Sequence, residues 1–129
     1  LFALVIQSCS SDSLKKQQFI SQGKLVYQKQ CIHCHQGDGN GYEKLYPPIN
    51  QADFFTKDPL QSICHIVNGL EGEILVNGET YNMPMPKFNH LTNDELAKLL
   101  TYLDNAWQNK GKLYSAKEIE AFRNENCGN

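Results

Sequence analysis

Apolar side chains recur at helical spacing from Leu14 to Gln30. The residues that share this spacing are Phe19, Ile20, Leu25, Val26 and Tyr27. The pattern predicts an amphipathic helix. Gly23 lies inside it, where glycine costs about 1 kcal/mol relative to alanine. A glycine at such a position indicates that another helix packs closely against it.

Two later segments also follow a helical pattern, and each opens with a capping signal. Thr92 is followed three residues later by Glu95, and Ser115 is followed in the same way by Glu118. A hydroxyl residue followed by glutamate at this spacing is a capping box, which marks a helix start. The apolar positions that follow the two boxes are Leu96, Leu99, Leu100, Leu103 and Trp107 in the first segment, and Ile119 and Phe122 in the second.

The middle of the chain alternates between loops and short elements. Residues 36–50 contain three glycines and two prolines, which predict a long irregular loop. Asp58-Pro59 predicts the start of a short helix that ends at Gly69. Asn77-Gly78 between β-prone residues predicts a hairpin. We therefore expect a mostly α fold of three to five helices with one small β-hairpin.

Composition places the chain among small single-domain proteins. It has 129 residues, 40% of them hydrophobic, and a net charge of −2. Its mean hydropathy is −0.50. A chain of this size often needs a cofactor, metal or disulfide to complete its interior. The scattered lysines and arginines argue against nucleic acid as a partner, because phosphate binding requires a dense basic patch.

The first residues resemble the end of a secretory signal followed by a lipid-attachment site. An apolar run from Leu1 to Ile6 precedes Gln7, Ser8 and Cys9, and small polar residues follow. An aliphatic residue, a spacer, a small residue and a cysteine resemble a bacterial lipobox. We expect residues 1–8 to be a signal remnant, 9–17 a linker anchored by lipid on Cys9, and 18–129 the folded domain.

The strongest chemical signal is the window from Cys31 to His35. It places Cys31, Cys34 and His35 within five residues. Zinc, a redox-active dithiol and a covalent haem can all use such a window. A structural zinc site needs four ligands, commonly in two pairs, and the remaining adjacent candidates, Cys64 and His65, are sequence neighbours that cannot easily share an ion.

A thiol–disulfide exchanger is the more serious alternative. Its reactive cysteine should lie at a helix N-terminus, where the dipole lowers the thiol pKa. Here an amphipathic helix precedes Cys31, so this thiol would lie at a helix C-terminus, where the dipole raises its pKa.

Covalent haem explains the window best. Two thiols three positions apart can each bind one vinyl group on a porphyrin edge, and His35 can then be the proximal iron ligand. The distal ligand should come from the proline-rich loop, which contains both methionines of the chain, Met83 and Met85. His65 and His90 remain as alternative distal ligands.

These residues resemble the class I c-type cytochromes of bacteria, in the small monohaem form. The resemblance extends from Gly23 to about Arg123 and includes Tyr27, the window Cys31–His35 and the segment 46–49. It implies a cytochrome c fold around one covalent haem c, attached through Cys31 and Cys34. It also implies that Pro47, or its neighbour Pro48, offers a carbonyl to the second ring nitrogen of His35.

The resemblance implies the remaining site residues as well. Alignment on Tyr81 and Phe88 places the distal ligand at Met85, with Met83 as the alternative. Leu99 and Tyr102 match positions that cross Gly23 and Tyr27 on the first helix. The hairpin of residues 74–82 and the extension after Trp107 are additions to the smallest members.

With His35 and Met85 both bound, iron has no open position, so the expected function is outer-sphere, one-electron transfer. The expected partners are a quinol-oxidising complex and a terminal oxidase or reductase, on the periplasmic side of a bacterial membrane. A cytochrome subunit of a dehydrogenase, reductase or oxidase complex is the alternative. Cys64 and Cys127 form either a disulfide or one buried and one exposed thiol.

Overall fold

The structure, a computed structural model, describes Ala3 and residues 11–128. Within these residues the fold consists of six helices and one two-stranded antiparallel sheet. The helices are α1 (Ser11–Gln30), α2 (Ile32–His35), α3 (Asp53–Thr56), α4 (Gln61–Asn68), α5 (Asn93–Asn105) and α6 (Ala116–Asn126). The strands are β1 (Ile74–Val76) and β2 (Glu79–Tyr81). The predicted mostly α class is confirmed. The helix count exceeds the expected three to five because α2 and α3 are four-residue helices.

The first helix starts earlier than its apolar pattern suggests. It begins at Ser11, so residues 11–17, which we expected to belong to a linker, form its first turns. Cys9 and the proposed signal remnant, apart from Ala3, lie outside the described residues. Among the described helices, none is both long enough and apolar enough to cross a bilayer.

The α1–α5 crossing is the main helix contact of the fold. Gly23 and Tyr27 are the buried residues of α1. A Cβ atom at Gly23 would overlap the carbonyl oxygen of Lys98 and lie 2.8 Å from the Cβ of Tyr102. The rings of Tyr27 and Tyr102 pack at a centroid distance of 5.5 Å. The predicted close approach at Gly23 is therefore confirmed, and it brings the end of α1, with the cysteine window, against the core.

The short helix α4 begins later than Asp58-Pro59 predicts. Those two residues form a turn that precedes it, in which the Asp58 carboxylate accepts a hydrogen bond from the Gln61 N–H at 3.3 Å. Its end agrees with the prediction, since Gly69 follows Asn68 with a φ of 73°. This helix buries Ile63, Ile66 and Val67 in the core.

The hairpin has the predicted turn. Val76 pairs with Glu79 across Asn77 and Gly78, which have positive φ values of 51° and 80°. Asn77 also fixes the hairpin to α3, because its N–H donates to the Asp53 carboxylate at 2.8 Å and its side-chain oxygen accepts from the Asp53 N–H at 2.9 Å. The hairpin is thus packed onto the body of the protein.

Both predicted caps at the C-terminal helices form. Thr92 and Glu95 make the full reciprocal capping box, and the Ser115 hydroxyl accepts from the Glu118 N–H at 3.1 Å. Trp107 is not part of α5, which ends at Asn105; it has a φ of 52° and packs its ring against Tyr27 at 5.6 Å.

A disulfide joins α4 to the residue that follows α6. Cys64 and Cys127 are bonded across a sequence separation of 63 residues, and both are buried. Asn68 adds a second link, since its side-chain amide donates to the Cys127 carbonyl at 2.7 Å. The C-terminal extension is therefore tied to the helix that lines the cavity described below.

Candidate haem-binding site

The cysteine window is held in a helical turn that continues from α1. The Cys31 N–H donates to the Tyr27 carbonyl at 2.8 Å, and the His35 N–H donates to the Cys31 carbonyl at 3.0 Å. Cys31 and Cys34 are half-buried free thiols. The fold of this segment thus keeps the two thiols and the imidazole within one turn of backbone.

The imidazole of His35 is oriented by the loop that follows it. Its Nδ1 donates to the Pro47 carbonyl at 2.9 Å, which is the contact that the family resemblance implies for Pro47. Burial lowers the pKa of His35, and the bond to Pro47 opposes that shift. A neutral ring with Nδ1 occupied leaves Nε2 as the free nitrogen, which is the state in which histidine binds a metal.

The first thiol of the window is poorly suited to exchange chemistry. Burial, with a smaller contribution from Cys34, raises the pKa of the Cys31 thiol to about 12. Thiol–disulfide exchange depends on a thiolate, which requires a lowered pKa. The electrostatics of this site therefore argue against the thioredoxin-like alternative.

Met85 is anchored through its backbone next to the end of α4. Its N–H donates to the Leu70 carbonyl at 2.9 Å, and the Leu70 N–H donates to the Met85 carbonyl at 3.0 Å. Gly69 makes this contact possible, because a Cβ atom there would lie 2.6 Å from the Met85 carbonyl oxygen. Met85 packs against the core, whereas Met83 is 45% exposed.

His35 and Met85 line one apolar cavity. Its other lining residues are Pro47, Pro48, Ile49, Phe54, Phe55, Ser62, His65, Ile66, Leu70, Ile74, Val76 and Leu103. A second opening shares His35 and Met85 and adds Cys34 and Met83. A cavity with apolar walls and few polar groups is typical of a cofactor site. With free thiols in the adjoining turn, these residues fit a covalently attached haem.

Sequence reasoning did not identify the hairpin as a wall of this cavity. Ile74 and Val76 line it, whereas Leu75 between them is 62% exposed. This alternation is the expected two-residue period of a strand with one buried face. It was the signal that could have assigned Ile74 and Val76 to the site.

The two alternative distal ligands occupy different places. His65 lines the cavity, and its ring stacks on Phe54 at a centroid distance of 5.0 Å. His90 is exposed and its ring lies 6.2 Å from that of Phe88. His33, inside the cysteine window, is also exposed.

Comparison with known proteins agrees with this geometry. The family pattern described as Cytochrome c matches residues 20–107. Cytochrome c-552 of Thermus thermophilus is 30% identical over 112 residues, covering 80% of this chain and 85% of that protein. The cytochrome c subunit of the quinone-dependent alcohol dehydrogenase of Gluconobacter oxydans is 30% identical over 105 residues, covering 78% of this chain but 22% of that protein.

Proposed function

The chain belongs to the cytochrome c family, whose members carry electrons on covalent haem c, and we propose that it does so with iron held between His35 and Met85. The observation that carries the proposal is that both side chains line one cavity. With both side chains bound, the iron would have no position for substrate or oxygen, so outer-sphere electron transfer would be the remaining chemistry. The protein is accordingly an electron-transfer protein and not itself an enzyme.

Each residue of the proposed site has a distinct task. Cys31 and Cys34 would hold the haem through thioether bonds, and His35 would supply a nitrogen ligand to its iron. Pro47 fixes the imidazole ring and strengthens its donation to the metal. The thioether of Met85 would stabilise Fe(II) relative to Fe(III) and so raise the reduction potential. Bound haem supplies the one-electron couple between these two iron states.

A rigid site favours rapid electron transfer, and the contacts of this site make it rigid. The backbone of His35 is fixed at both ends, since its N–H donates to Cys31 and its carbonyl accepts from the Gly41 N–H at 3.0 Å. Met85 has its two bonds to Leu70, and the nearby Phe88 N–H donates to the Ile66 carbonyl at 2.8 Å. Both ligands would therefore keep their positions when the iron changes charge.

A second candidate function is that of a cytochrome subunit within a dehydrogenase or other oxidoreductase complex. The relative from Gluconobacter oxydans is named as such a subunit. Exposed apolar side chains favour this alternative. Met83 lines the second opening and is exposed, and the exposed Tyr42 pairs through its backbone with Tyr46, which lines the same opening and follows the exposed Leu45. Apolar side chains that form a contiguous exposed patch are typical of a surface that contacts another protein.

We further propose that the protein works on the periplasmic side of a bacterial membrane, anchored by lipid on Cys9. The Cys64–Cys127 disulfide supports an oxidising compartment. The sequence around Cys9 supports the anchor. The partners in that location would be a quinol-oxidising complex and a terminal oxidase or reductase.

A potentiometric titration of the purified protein tests the proposed function. The carrier hypothesis predicts a single Nernst transition with one electron and full reversibility over repeated cycles. It also predicts that the reduced protein passes one electron per haem to a mild one-electron oxidant without further turnover. A transition of more than one electron, or continued consumption of oxygen by the reduced protein, would contradict it.

A further inference from the structure

The loop that follows His35 is contacted by the indole of Trp107, the only tryptophan of the chain. The indole Nε1 donates to the Gly37 carbonyl at 3.3 Å. The six-membered ring lies against Gly39, where a Cβ atom would be 2.5 Å from Cζ2 of the indole. One side chain thus contacts two of the first four residues after His35.

Contacts from several sides hold Trp107 in this place. Its backbone is in the left-handed region, with a φ of 52°, and Gln108 follows with a φ of 71°. This region is unfavourable for bulky residues other than glycine. The rings of Tyr27 and Tyr102 pack against the indole at centroid distances of 5.6 and 5.9 Å. The Gln51 side-chain amide donates to the Trp107 carbonyl at 3.4 Å. Strained backbone of this kind persists only where surrounding contacts hold it, and it is concentrated at functional sites.

Main-chain hydrogen bonds connect Gly39 to the group that orients His35. The Gly39 carbonyl accepts from the N–H groups of Ile49 and Asn50 at 2.7 and 2.9 Å. These residues lie shortly after Pro47, whose carbonyl accepts from Nδ1 of His35 at 2.9 Å. A displacement of Gly39 would therefore move the segment that carries the Pro47 carbonyl.

We infer that Trp107 is a positioning residue for the proposed iron ligand His35. Its indole fixes the start of the loop and thereby keeps the Pro47 carbonyl within hydrogen-bond distance of the imidazole. This inference rests on the proposed function, because the orientation of the ring matters for electron transfer only if His35 binds the haem iron. The bond to Pro47 increases the electron donation of the imidazole, which stabilises Fe(III). Trp107 thus acts on the reduction potential through His35 and does not itself bind iron.

The test uses the haem-loaded protein and compares wild type with Trp107→Phe and Trp107→Ala. Phenylalanine keeps a ring against Gly39 but has no donor for the Gly37 carbonyl, and alanine removes both contacts. The first measurement is the rate at which the His35 Nδ1 proton exchanges with water, by NMR of the reduced protein. We expect this rate to rise about fivefold in Trp107→Ala, the factor that corresponds to the loss of one ordinary hydrogen bond, and by less in Trp107→Phe.

The second measurement is the midpoint potential, which a loss of overall stability does not by itself change. A weaker bond to Pro47 lowers the electron donation of His35, so Fe(III) loses stabilisation and the potential should rise. The rise should be larger in Trp107→Ala than in Trp107→Phe. The far-red methionine–iron band should be retained in both variants, because the proposed distal ligand Met85 is unchanged.

Ile119→Val is the matched control for stability. Ile119 is buried in α6, and removal of one methyl group from the core destabilises the fold. The exchange rate of the His35 proton and the midpoint potential should nevertheless stay at the wild-type values. Exchange is measured under conditions in which the α5 amides remain protected, so that global unfolding does not contribute.

A double-mutant cycle tests the contact between the indole and Gly39 directly. Gly39→Ala brings a Cβ atom against the indole and also places alanine at a φ of 70°. The conformational cost is the same in both backgrounds and cancels, whereas the overlap with the indole is absent in the Trp107→Ala background. Gly39→Ala should therefore raise the exchange rate and the potential more in wild type than in Trp107→Ala. Equal effects in the two backgrounds would overturn the inference.

Wild-type exchange rates and potentials in both Trp107 variants would also overturn it. If Trp107→Ala does not yield folded protein, Trp107→Leu takes its place, since leucine keeps apolar volume but has neither ring nor donor. Failure of the proposed function is distinguishable, because it shows in wild type as an oxidised spectrum without the far-red band. If the band is present while the exchange rates and potentials of wild type and variants coincide, only the role of Trp107 is wrong. Loss of the band in Trp107→Phe would place its effect on the distal ligand and would contradict the inference as well.

Discussion

At the scale of single residues, the position of Met85 depends on its backbone as much as on its sulfur. Two hydrogen bonds with Leu70 hold its main chain, and Gly69 permits that approach. Met83, two residues earlier, has no such pairing within the described residues and is 45% exposed. The two methionines therefore have the same side-chain chemistry, but only Met85 has a main chain that is held against the end of α4.

Replacing Met85 by alanine should remove the proposed distal ligand without disturbing the Leu70 pairing, because alanine keeps the same backbone groups. We expect complete loss of the far-red methionine–iron band in the oxidised protein and a lower reduction potential. Met83→Ala is the matched control and should keep the band. If Met83→Ala loses the band and Met85→Ala retains it, the ligand assignment is reversed.

The residues that sequence reasoning identified share a strict local spacing or lie in a short loop. The spacing of Cys31, Cys34 and His35 identifies them as candidates, and the two methionines of the short proline-rich loop are the leading candidates for the distal position, ahead of His65 and His90. His65 and Leu103 could not be assigned to the cavity wall with equal clarity, because their place depends on how distant helices pack. Tertiary packing of this kind is not encoded in a local pattern.

At the scale of elements, the α1–α5 crossing positions the cysteine window. Local signals predicted both helices, and the unexplained glycine in α1 predicted the crossing itself. The predicted start of α4 and the predicted end of α5 were less accurate. Asp58-Pro59 was assigned to α4, but it forms a preceding turn, and Trp107 continues the α5 apolar pattern although the helix ends at Asn105.

Gly23→Ala tests this crossing. In an isolated helix the substitution would add about 1 kcal/mol of stability. Here the added methyl group would overlap the Lys98 carbonyl oxygen, which is backbone and cannot rotate away. We expect a net loss of about 2 kcal/mol in the free energy of unfolding, measured by urea denaturation of the haem-loaded protein.

Gln22→Ala on the exposed side of the same helix is the matched control and should change stability by less than about 0.5 kcal/mol. A stabilised Gly23→Ala protein would show that the two helices do not approach this closely.

At the scale of the whole molecule, the extension after α5 is held to the haem cavity by one covalent bond. The Cys64–Cys127 bridge closes a loop with a sequence separation of 63 residues. Constraining a loop of this length in the unfolded chain stabilises the folded state by about 4 kcal/mol. The bridge therefore links the stability of α6 to that of α4, whose residues line the cavity.

The double variant Cys64→Ala/Cys127→Ala should lose about 4 kcal/mol of unfolding free energy. Cys127→Ala alone should lose a similar amount, because either change removes the bridge. The measurement is urea denaturation followed by circular dichroism. A loss below about 1 kcal/mol in both variants would contradict the proposed contribution of the disulfide.

The most direct test of the whole account is the absorption spectrum of the purified protein in both oxidation states, with and without carbon monoxide. Iron held by His35 and Met85 predicts the weak far-red band in the oxidised protein and a reduced spectrum that carbon monoxide does not change. An oxidised protein without that band, whose reduced form binds carbon monoxide readily, would contradict the closed site on which the electron-carrier function depends.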